Sequence, residues 1–141
     1  MSDREILFRG KRKDNGEWIE GYYINIAYVN PFIATGKIHL TAATKGSFSP
    51  EMYKVIPKTV GQYTGLTDKN GTKIFEGDIV YVYGHPDEVG DDDFAVIRYD
   101  NDDAMFIIEF DTFCLNFGNC WGTDVEVIGN VYDNPELLKD E

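Results

Sequence analysis

Runs of β-branched and aromatic residues, separated by Gly, Asn, Asp and Pro, recur along the whole chain, and the longest such pattern covers residues 60–83. It starts with strand-type residues, breaks at Asn70-Gly71 and resumes as a strand pattern that is interrupted once, at Glu76-Gly77. Asn-Gly between apolar runs is a strong hairpin signal, because both residues tolerate the positive φ that a primed turn requires. The pattern therefore predicts a hairpin between strands near residues 60–66 and 73–83.

The rest of the chain gives further strand signals, at residues 6–9, 17–26, 52–56, 94–99, 104–110 and 125–132. Residues 32–40 are consistent with a short hairpin bent at 35–37. Residues 84–93, rich in Gly, Pro and acid, are predicted to form the most mobile loop of the chain. Near the C-terminus, Asn134-Pro135 are typical of a helix N-cap and first helical position. The sequence therefore predicts an all-β protein of about ten short strands with a short C-terminal helix.

Two segments, residues 14–23 and 69–79, repeat one order of features: a turn, two large apolar residues, Glu-Gly and then a strand. In each copy Asn-Gly closes the turn, and the later glycine permits a bulge or sharp bend where a strand crosses between sheet layers. This internal similarity could arise either by duplication or by chance. The residues predicted to form structural turns and bends are Asn15, Gly16, Glu20, Gly21, Asn70, Gly71, Glu76 and Gly77.

A length of 141 residues predicts a single domain over 1–141, with a division into 1–58 and 59–141 as the alternative organisation. The apolar content of 43% is too high for a disordered chain. No apolar run approaches the roughly 20 residues that a membrane span needs, and the charged segment 1–5 lacks the apolar region of a signal peptide. We therefore expect an intracellular protein with no membrane association.

The net charge of −12 is unevenly distributed, because residues 1–73 carry +4 and residues 74–141 carry −16. A protein that wraps nucleic acid needs clustered cations to neutralise phosphates, so this balance argues against direct nucleic-acid binding. Charge asymmetry between the halves of a chain instead indicates association. The candidate interaction surface consists of a basic cluster and an acidic loop: Arg9, Lys11, Arg12, Lys13, Asp87, Glu88, Asp91, Asp92 and Asp93.

The residue types that most often carry catalysis or bind metals form no recognisable site in this sequence. The two histidines, His39 and His85, lie in no nucleophile pattern with Cys or Ser. Cys114 and Cys120 are expected to be free thiols in a reducing compartment, with a disulfide or half of a zinc site as alternatives. The acids of the 87–93 loop lack the spacing of a Ca²⁺ loop and are expected to be solvated. We therefore predict no catalytic residue, no bound metal and no cofactor.

Three blocks of sequence carry a family resemblance: residues 4–9, residues 61–71 together with 74–80, and residues 127–138. Their letters are REILFR, GQYTGLTDKNG with IFEGDIV, and VIGNVYDNPELL. Together these blocks resemble the YopX family of phage and prophage proteins. The resemblance implies an all-β fold that contains a small SH3-like barrel, a phage or prophage origin, and self-assembly. It carries over no catalytic residue, and its motifs leave residues 27–57 and 85–93 uncovered.

The leading hypothesis is a non-enzymatic phage or prophage accessory protein that acts by protein–protein contact, as a homo-oligomer in the cytoplasm of a bacterial host. Its partner is a second copy of itself or an unidentified host or phage protein. One alternative is an acidic DNA mimic, a decoy that occupies a host nucleic-acid-binding protein. The other alternative is an enzyme whose site is not visible in the sequence.

Overall fold

The computed structural model describes residues 5–25, 31–35, 51–83, 93–110, 114–116 and 125–138. In these residues the chain is built from short antiparallel strands, so the predicted all-β class is confirmed. Two 3-10 turns, Pro57–Thr59 and Pro135–Leu138, are also described. The strands are β1 (Phe8–Lys11), β2 (Trp18–Ile24), β3 (Phe32–Thr35), β4 (Glu51–Lys54), β5 (Gly61–Thr67), β6 (Lys73–Phe75), β7 (Asp78–Val82), β8 (Asp93–Asp100), β9 (Met105–Glu109), β10 (Cys114–Asn116) and β11 (Val125–Asn130).

The chain divides into two compact units, one formed by Glu5–Gln62 and the other containing Tyr63–Glu141, so the boundary lies within β5. In the first unit, β1 to β4 form successive antiparallel pairs, and β1 also pairs with the first two residues of β5. The strand order of this unit is β4-β3-β2-β1-β5.

Gly21 is the residue at which β2 changes partners. Residues 18–21 of β2 pair with β1, whereas residues 22–24 pair with β3. A Cβ atom at position 21 would lie only 2.2 Å from the carbonyl oxygen of Ala34, so glycine is required for the β3 backbone to approach this closely. The strand break predicted at Glu20-Gly21 is therefore a change of partner within a strand that continues.

Backbone hydrogen bonds join the end of β1 to the chain around the end of β4. The N–H of Lys13 donates to the carbonyl of Lys54 at 3.0 Å, and the N–H of Ile56 donates to the carbonyl of Lys11 at 2.8 Å. A single bridge between Arg12 and Val55 lies between these two bonds. The first unit thus connects its first and fourth strands as well as its neighbouring ones.

The second unit contains the β5–β6 hairpin and an antiparallel sheet in the order β10-β9-β8-β7-β11. Alternate residues of each strand face the core, as the two-residue period of a strand dictates. The paired rows Val80–Ala95 and Ile97–Ile108 show this alternation. The core cluster consists of Ile74, Val80, Val82, Ala95, Ile97, Ile108, Phe110 and Val125.

Two finer parts of the predicted fold are not confirmed by the described residues. The SH3-like barrel stays a prediction, because no closed barrel is found among the described strands. The predicted C-terminal helix is a single 3-10 turn, Pro135–Leu138, in which Leu137 N–H donates to the Asn134 carbonyl three residues earlier. The bend predicted at 35–37 extends beyond the described residues, and β3 pairs with β4. In the described part of the chain, no helix is long and apolar enough to cross a membrane.

Candidate functional site

The turn between β5 and β6 is organised by the buried carboxylate of Asp68. Its Oδ1 accepts hydrogen bonds from the backbone N–H groups of Asn70 and Thr72, at 2.8 and 2.9 Å. Gly71 completes the turn with a φ of 84°, which glycine adopts without the clash that a Cβ atom would cause. The turn therefore combines a left-handed glycine with a carboxylate that replaces missing backbone partners.

The same carboxylate fastens this turn to β11. Oδ2 of Asp68 accepts a hydrogen bond from the N–H of Val127 at 2.8 Å, and the N–H of Lys69 donates to the carbonyl of Val125 at 3.1 Å. Burial raises the pKa of the Asp68 carboxyl, but its hydrogen bonds to backbone amides favour the charged form more, and its pKa lies below the ordinary value. The turn thus bonds two backbone groups of β11, one N–H and one carbonyl.

A second buried carboxylate, that of Asp78, holds the bend between β6 and β7. Asp78 is 1% exposed, and its Oδ2 accepts a hydrogen bond from the N–H of Phe75 at 2.7 Å. Gly77 has a φ of 92°; its N–H donates to the Ile97 carbonyl, and its own carbonyl accepts from the Val131 N–H. The bend is therefore anchored both to β8 and to the segment after β11.

The segment that follows β11 is closed by two asparagines. Oδ1 of Asn130 accepts hydrogen bonds from the N–H groups of Tyr132 and Asp133, and Oδ1 of Asn134 accepts one from the N–H of Asn130. A Cβ atom on Gly129 would lie 2.6 Å from this Asn134 oxygen, so the glycine leaves the space that the asparagine occupies. The polar side chains of this segment therefore serve the backbone.

The best-defined polar side chains of the described chain are thus structural. Asp68, Asp78, Asn130 and Asn134 all accept hydrogen bonds from backbone N–H groups, which replaces hydration lost on folding. Among the described residues, no group of three or more His, Cys, Asp or Glu side chains is placed to hold a metal ion. The features that remain as candidates for function lie on the surface.

The basic cluster, Arg9, Lys11, Arg12 and Lys13, lies on β1 and the turn that follows it. The charged groups of Arg9 and Lys11 lie over the indole of Trp18, 4.6 and 5.7 Å from the ring centroid. The strand register places Trp18 directly opposite Lys11. Two cations therefore share one aromatic surface on the β1–β2 hairpin.

The Arg12 guanidinium of this cluster is paired with a carboxylate. Its Nε and Nη2 donate to the two oxygens of Asp14, at 2.9 and 2.6 Å, and its guanidinium carbon lies 4.2 Å from the Tyr53 ring centroid. The hydrogen bonds from Arg12 lower the pKa of Asp14 from its ordinary value. Lys13 and Lys54 are both exposed and are joined through a backbone hydrogen bond, so they add a pair of neighbouring cations.

Apolar side chains lie on the face of the first unit that also carries Trp18. Tyr22 pairs with Ala34, which pairs with Met52, so the three side chains form a row across β2, β3 and β4. Tyr22 is 63% exposed and Met52 is 40% exposed, whereas the small Ala34 between them is buried. Side chains alternate along a strand, so Trp18 shares the face of Tyr22 and Lys54 shares the face of Met52. The basic–aromatic face is defined as Arg9, Lys11, Trp18, Tyr22, Met52 and Lys54. Exposed Glu20, which lies opposite Arg9 in the register, is on the same face, so three cations share it with one carboxylate.

The turn between β8 and β9 has the opposite charge. Asp102 and Asp103 are exposed, and Oδ1 of Asp100 accepts a hydrogen bond from the N–H of Asp102 at 2.9 Å. Beside these acids, Tyr99 is 39% exposed and Met105 is 37% exposed. The acidic tip is defined as Tyr99, Asp100, Asp102, Asp103 and Met105. It combines carboxylates with exposed apolar groups.

An aromatic row crosses β7 and β8. The ring of Tyr81 makes edge contacts with Tyr83 and Phe94, at centroid distances of 4.8 and 5.4 Å. The Tyr83 hydroxyl donates to Glu126 at 2.6 Å, and the Lys69 ammonium lies 4.1 Å from the centre of the Tyr83 ring. Because Lys69 of the β5–β6 turn is the cation on this ring, the row helps to hold that turn on the sheet.

Charge follows the division into units. Glu5–Gln62 contains eight Lys and Arg and five Asp and Glu, a net charge of +3, whereas Tyr63–Glu141 contains four and nineteen, a net charge of −15. The basic–aromatic face belongs to the positive unit and the acidic tip to the negative one. Each unit therefore presents exposed apolar side chains beside charges of its own predominant sign.

The predicted turn residues lie at four places: Asn15 and Gly16 between β1 and β2, Glu20 and Gly21 in β2, Asn70 and Gly71 between β5 and β6, and Glu76 and Gly77 between β6 and β7. Of the predicted acidic loop, Asp93 begins β8, and the others lie outside the described residues: Asp87, Glu88, Asp91 and Asp92. Cys114 is in β10, whereas His39, His85 and Cys120 also lie outside the described residues.

The basic cluster is evident in the sequence, but its aromatic partners are not. Trp18 is recognisable as a partner only through the register of β1 and β2, and Tyr22 and Met52 come together only through β3. The acids of the acidic tip lie between two predicted strands, residues 94–99 and 104–110, and by themselves indicate only a polar connection. Exposed Tyr99 and Met105 are what add a surface to that turn.

A family model described as YopX protein matches residues 7–139 of the chain. The crystal structure of protein EF1440 from Enterococcus faecalis is similar, with a TM-score of 0.61 and 28% sequence identity over 96% of this chain and 99% of that chain. No curated protein matches the sequence. The middle and last of the three blocks that carry the resemblance contain Asp68, Asp78, Asn130 and Asn134, the residues that hold the backbone turns.

Proposed function

The chain belongs to the YopX family, and on that premise we propose that it is a non-enzymatic phage or prophage accessory protein that acts by protein–protein contact as a homo-oligomer. The observation that carries this proposal is the division of charge, +3 in one compact unit and −15 in the other. A second copy of the chain is therefore a partner of complementary charge. We place this activity inside the bacterial host.

A contact between the positive unit of one copy and the negative unit of the next is heterologous, because the two copies use different surfaces. Such contacts close into a ring when the rotation per subunit permits and otherwise form open chains. Charge steers the encounter and fixes its register, while buried aromatic groups supply most of the affinity. Moderate salt screens exposed charges beyond about 10 Å, so it should slow assembly more than it abolishes it.

Sedimentation velocity over a range on the order of 1–100 µM protein, at low and at moderate salt, tests this proposal. We expect the mean sedimentation coefficient to rise with concentration at both salt concentrations. A clean monomer throughout the range would contradict self-association.

The SH3-like barrel is part of the same proposal, as the scaffold of Glu5–Gln62. It is supported by the order β4-β3-β2-β1-β5, by the partner change of β2 at Gly21 and by the 3-10 turn directly before β5. The Arg12–Val55 bridge supports pairing of the first and fourth strands. A nuclear Overhauser contact between the α-protons of Arg12 and Val55 is expected in solution. Its absence in assigned spectra would argue against the barrel.

A DNA mimic is the second candidate, and the net charge of −15 on Tyr63–Glu141 favours it specifically. Such a mimic would capture basic nucleic-acid-binding proteins from a host lysate and release them as salt rises. Duplex DNA should compete with this capture. Capture that is unaffected by duplex DNA would count against mimicry.

A further inference from the structure

We propose that the acidic tip of one copy docks on the basic–aromatic face of the next copy. This inference rests on the self-association proposed above and assigns residues to both sides of the contact. The two surfaces belong to different units, so every copy offers both of them.

The charges of the two surfaces are complementary. The face presents Arg9 and Lys11 over the Trp18 ring, with exposed Lys54 further along. The tip presents exposed Asp102 and Asp103 on a tight turn. The attraction between a carboxylate and a cation is stronger beside an aromatic ring than in open water, because the ring excludes solvent from one side of the cation.

The apolar groups are complementary as well. Tyr22 and Met52 stand two strands apart, a separation of about 10 Å, with only the small side chain of Ala34 between them. The surface is therefore concave at Ala34, between the larger side chains of Tyr22 and Met52. An exposed apolar side chain of the tip, from Tyr99 or Met105, has the size to fill this concavity.

Both surfaces leave apolar groups in water in the single chain, and the contact would cover them together. Each surface alone has charges of one predominant sign and would repel a second copy of itself. The charges therefore favour binding of each surface to the complementary surface of another copy. A pair formed in this way still has one unoccupied basic–aromatic face and one unoccupied acidic tip.

The test reverses the charge of each surface separately and then of both together. The face variant is Lys11→Glu with Lys54→Glu, and the tip variant is Asp102→Lys with Asp103→Lys. We expect each to raise the dissociation constant measured by sedimentation velocity about tenfold or more, because like charges then meet across the contact. The chain that carries all four substitutions has the net charge of the wild type and should regain most of the lost affinity.

A matched control is Asp133→Lys with Glu136→Lys, which alters two exposed acids of the same unit that belong to neither surface. It changes the net charge as the tip variant does and should leave the dissociation constant within about threefold of the wild type. Circular dichroism of every variant checks that the strands are intact.

The outcomes distinguish failure of the self-association proposal from failure of the docking proposal alone. If the wild type is a monomer, both the self-association and this docking are overturned. If the wild type assembles but the face and tip variants assemble equally well, only the docking is wrong. If both variants are impaired and the fourfold variant is impaired further, the two surfaces do not contact each other.

Discussion

Replacing Asp68 with Ala removes the acceptor that connects the β5–β6 turn to β11. The wild-type carboxylate is 5% exposed and accepts three backbone hydrogen bonds, from Asn70, Thr72 and Val127. Alanine leaves the three N–H groups without this partner. The substitution also frees the turn from an edge of the sheet that it otherwise covers.

The size of the effect follows from the surroundings of the three donors. A hydrogen bond to a charged group contributes about 1.5–3 kcal/mol. The N–H groups of Asn70 and Thr72 lie in an exposed turn and can bond water instead, whereas Val127 is only partly exposed. We therefore expect the free energy of unfolding to fall by about 3 kcal/mol rather than by the sum of three full bonds. Asp68→Asn keeps one acceptor oxygen and should lose less, about 2 kcal/mol.

Urea unfolding followed by far-ultraviolet circular dichroism measures this difference. Asp103→Ala is the matched control, because Asp103 is an exposed acid in another turn of the same unit, and its loss should change the free energy by less than about 0.5 kcal/mol. If Asp68→Ala unfolds within that same margin of the wild type, the structural role assigned to this carboxylate is wrong.

Three further predictions concern the same turns. The pKa of Asp68 is lowered in the folded state, so the stabilisation it provides is present above the unfolded pKa of about 3.9 and is lost as the pH falls through the folded value. The unfolding free energies of the wild type and of Asp68→Asn, measured in urea titrations, should therefore converge below about pH 4. A difference that stays constant with pH would contradict the role assigned to this carboxylate. Gly71→Val should lower the free energy of unfolding in urea by roughly 1 kcal/mol or more, because φ is 84° at this position. A Cβ atom there would have no neighbour within 4 Å, so the loss comes from backbone strain and not from a clash. An unchanged unfolding midpoint would exclude the left-handed turn. Gly129→Ala should cost about 1–3 kcal/mol, since its Cβ would meet the Asn134 side chain at 2.6 Å, and Asn134→Ala in the same chain should recover part of that loss if the contact is its cause.

The local part of the fold was accessible from the sequence. A left-handed glycine in an Asn-Gly pair can be inferred from two adjacent residues, and the alternating patterns of β7, β8 and β9 depend only on neighbours in the chain. The same is true of the bend at Glu76-Gly77, although the carboxylate seen to bond its backbone is that of Asp78. Such features need no knowledge of what packs against them.

The long-range part was not accessible in this way. Asp68 reaches Val127 across 59 positions, and nothing in the spacing of either residue indicates the other. Likewise, the alternation in residues 32–40 predicts a local hairpin, whereas the observed partner of Phe32–Thr35 is Glu51–Lys54. A strand pattern specifies which side chains share a face but not which strand pairs with it, so the basic–aromatic face emerges only from the sheet.

The contact between the positive unit of one copy and the negative unit of another is tested most directly by zero-length cross-linking of lysines to carboxylates. Wild-type chains made in ordinary and in ¹⁵N medium are mixed, linked with a carbodiimide and digested, so that peptide pairs of mixed isotope content report links between copies. Contact between unlike units predicts mixed pairs that join a lysine of Glu5–Gln62 to an acid of Tyr63–Glu141. Docking of the acidic tip on the basic–aromatic face predicts that Lys11 or Lys54 is linked to Asp102 or Asp103 among them. Mixed pairs that join only residues of the same unit, or no mixed pairs at all, would contradict both.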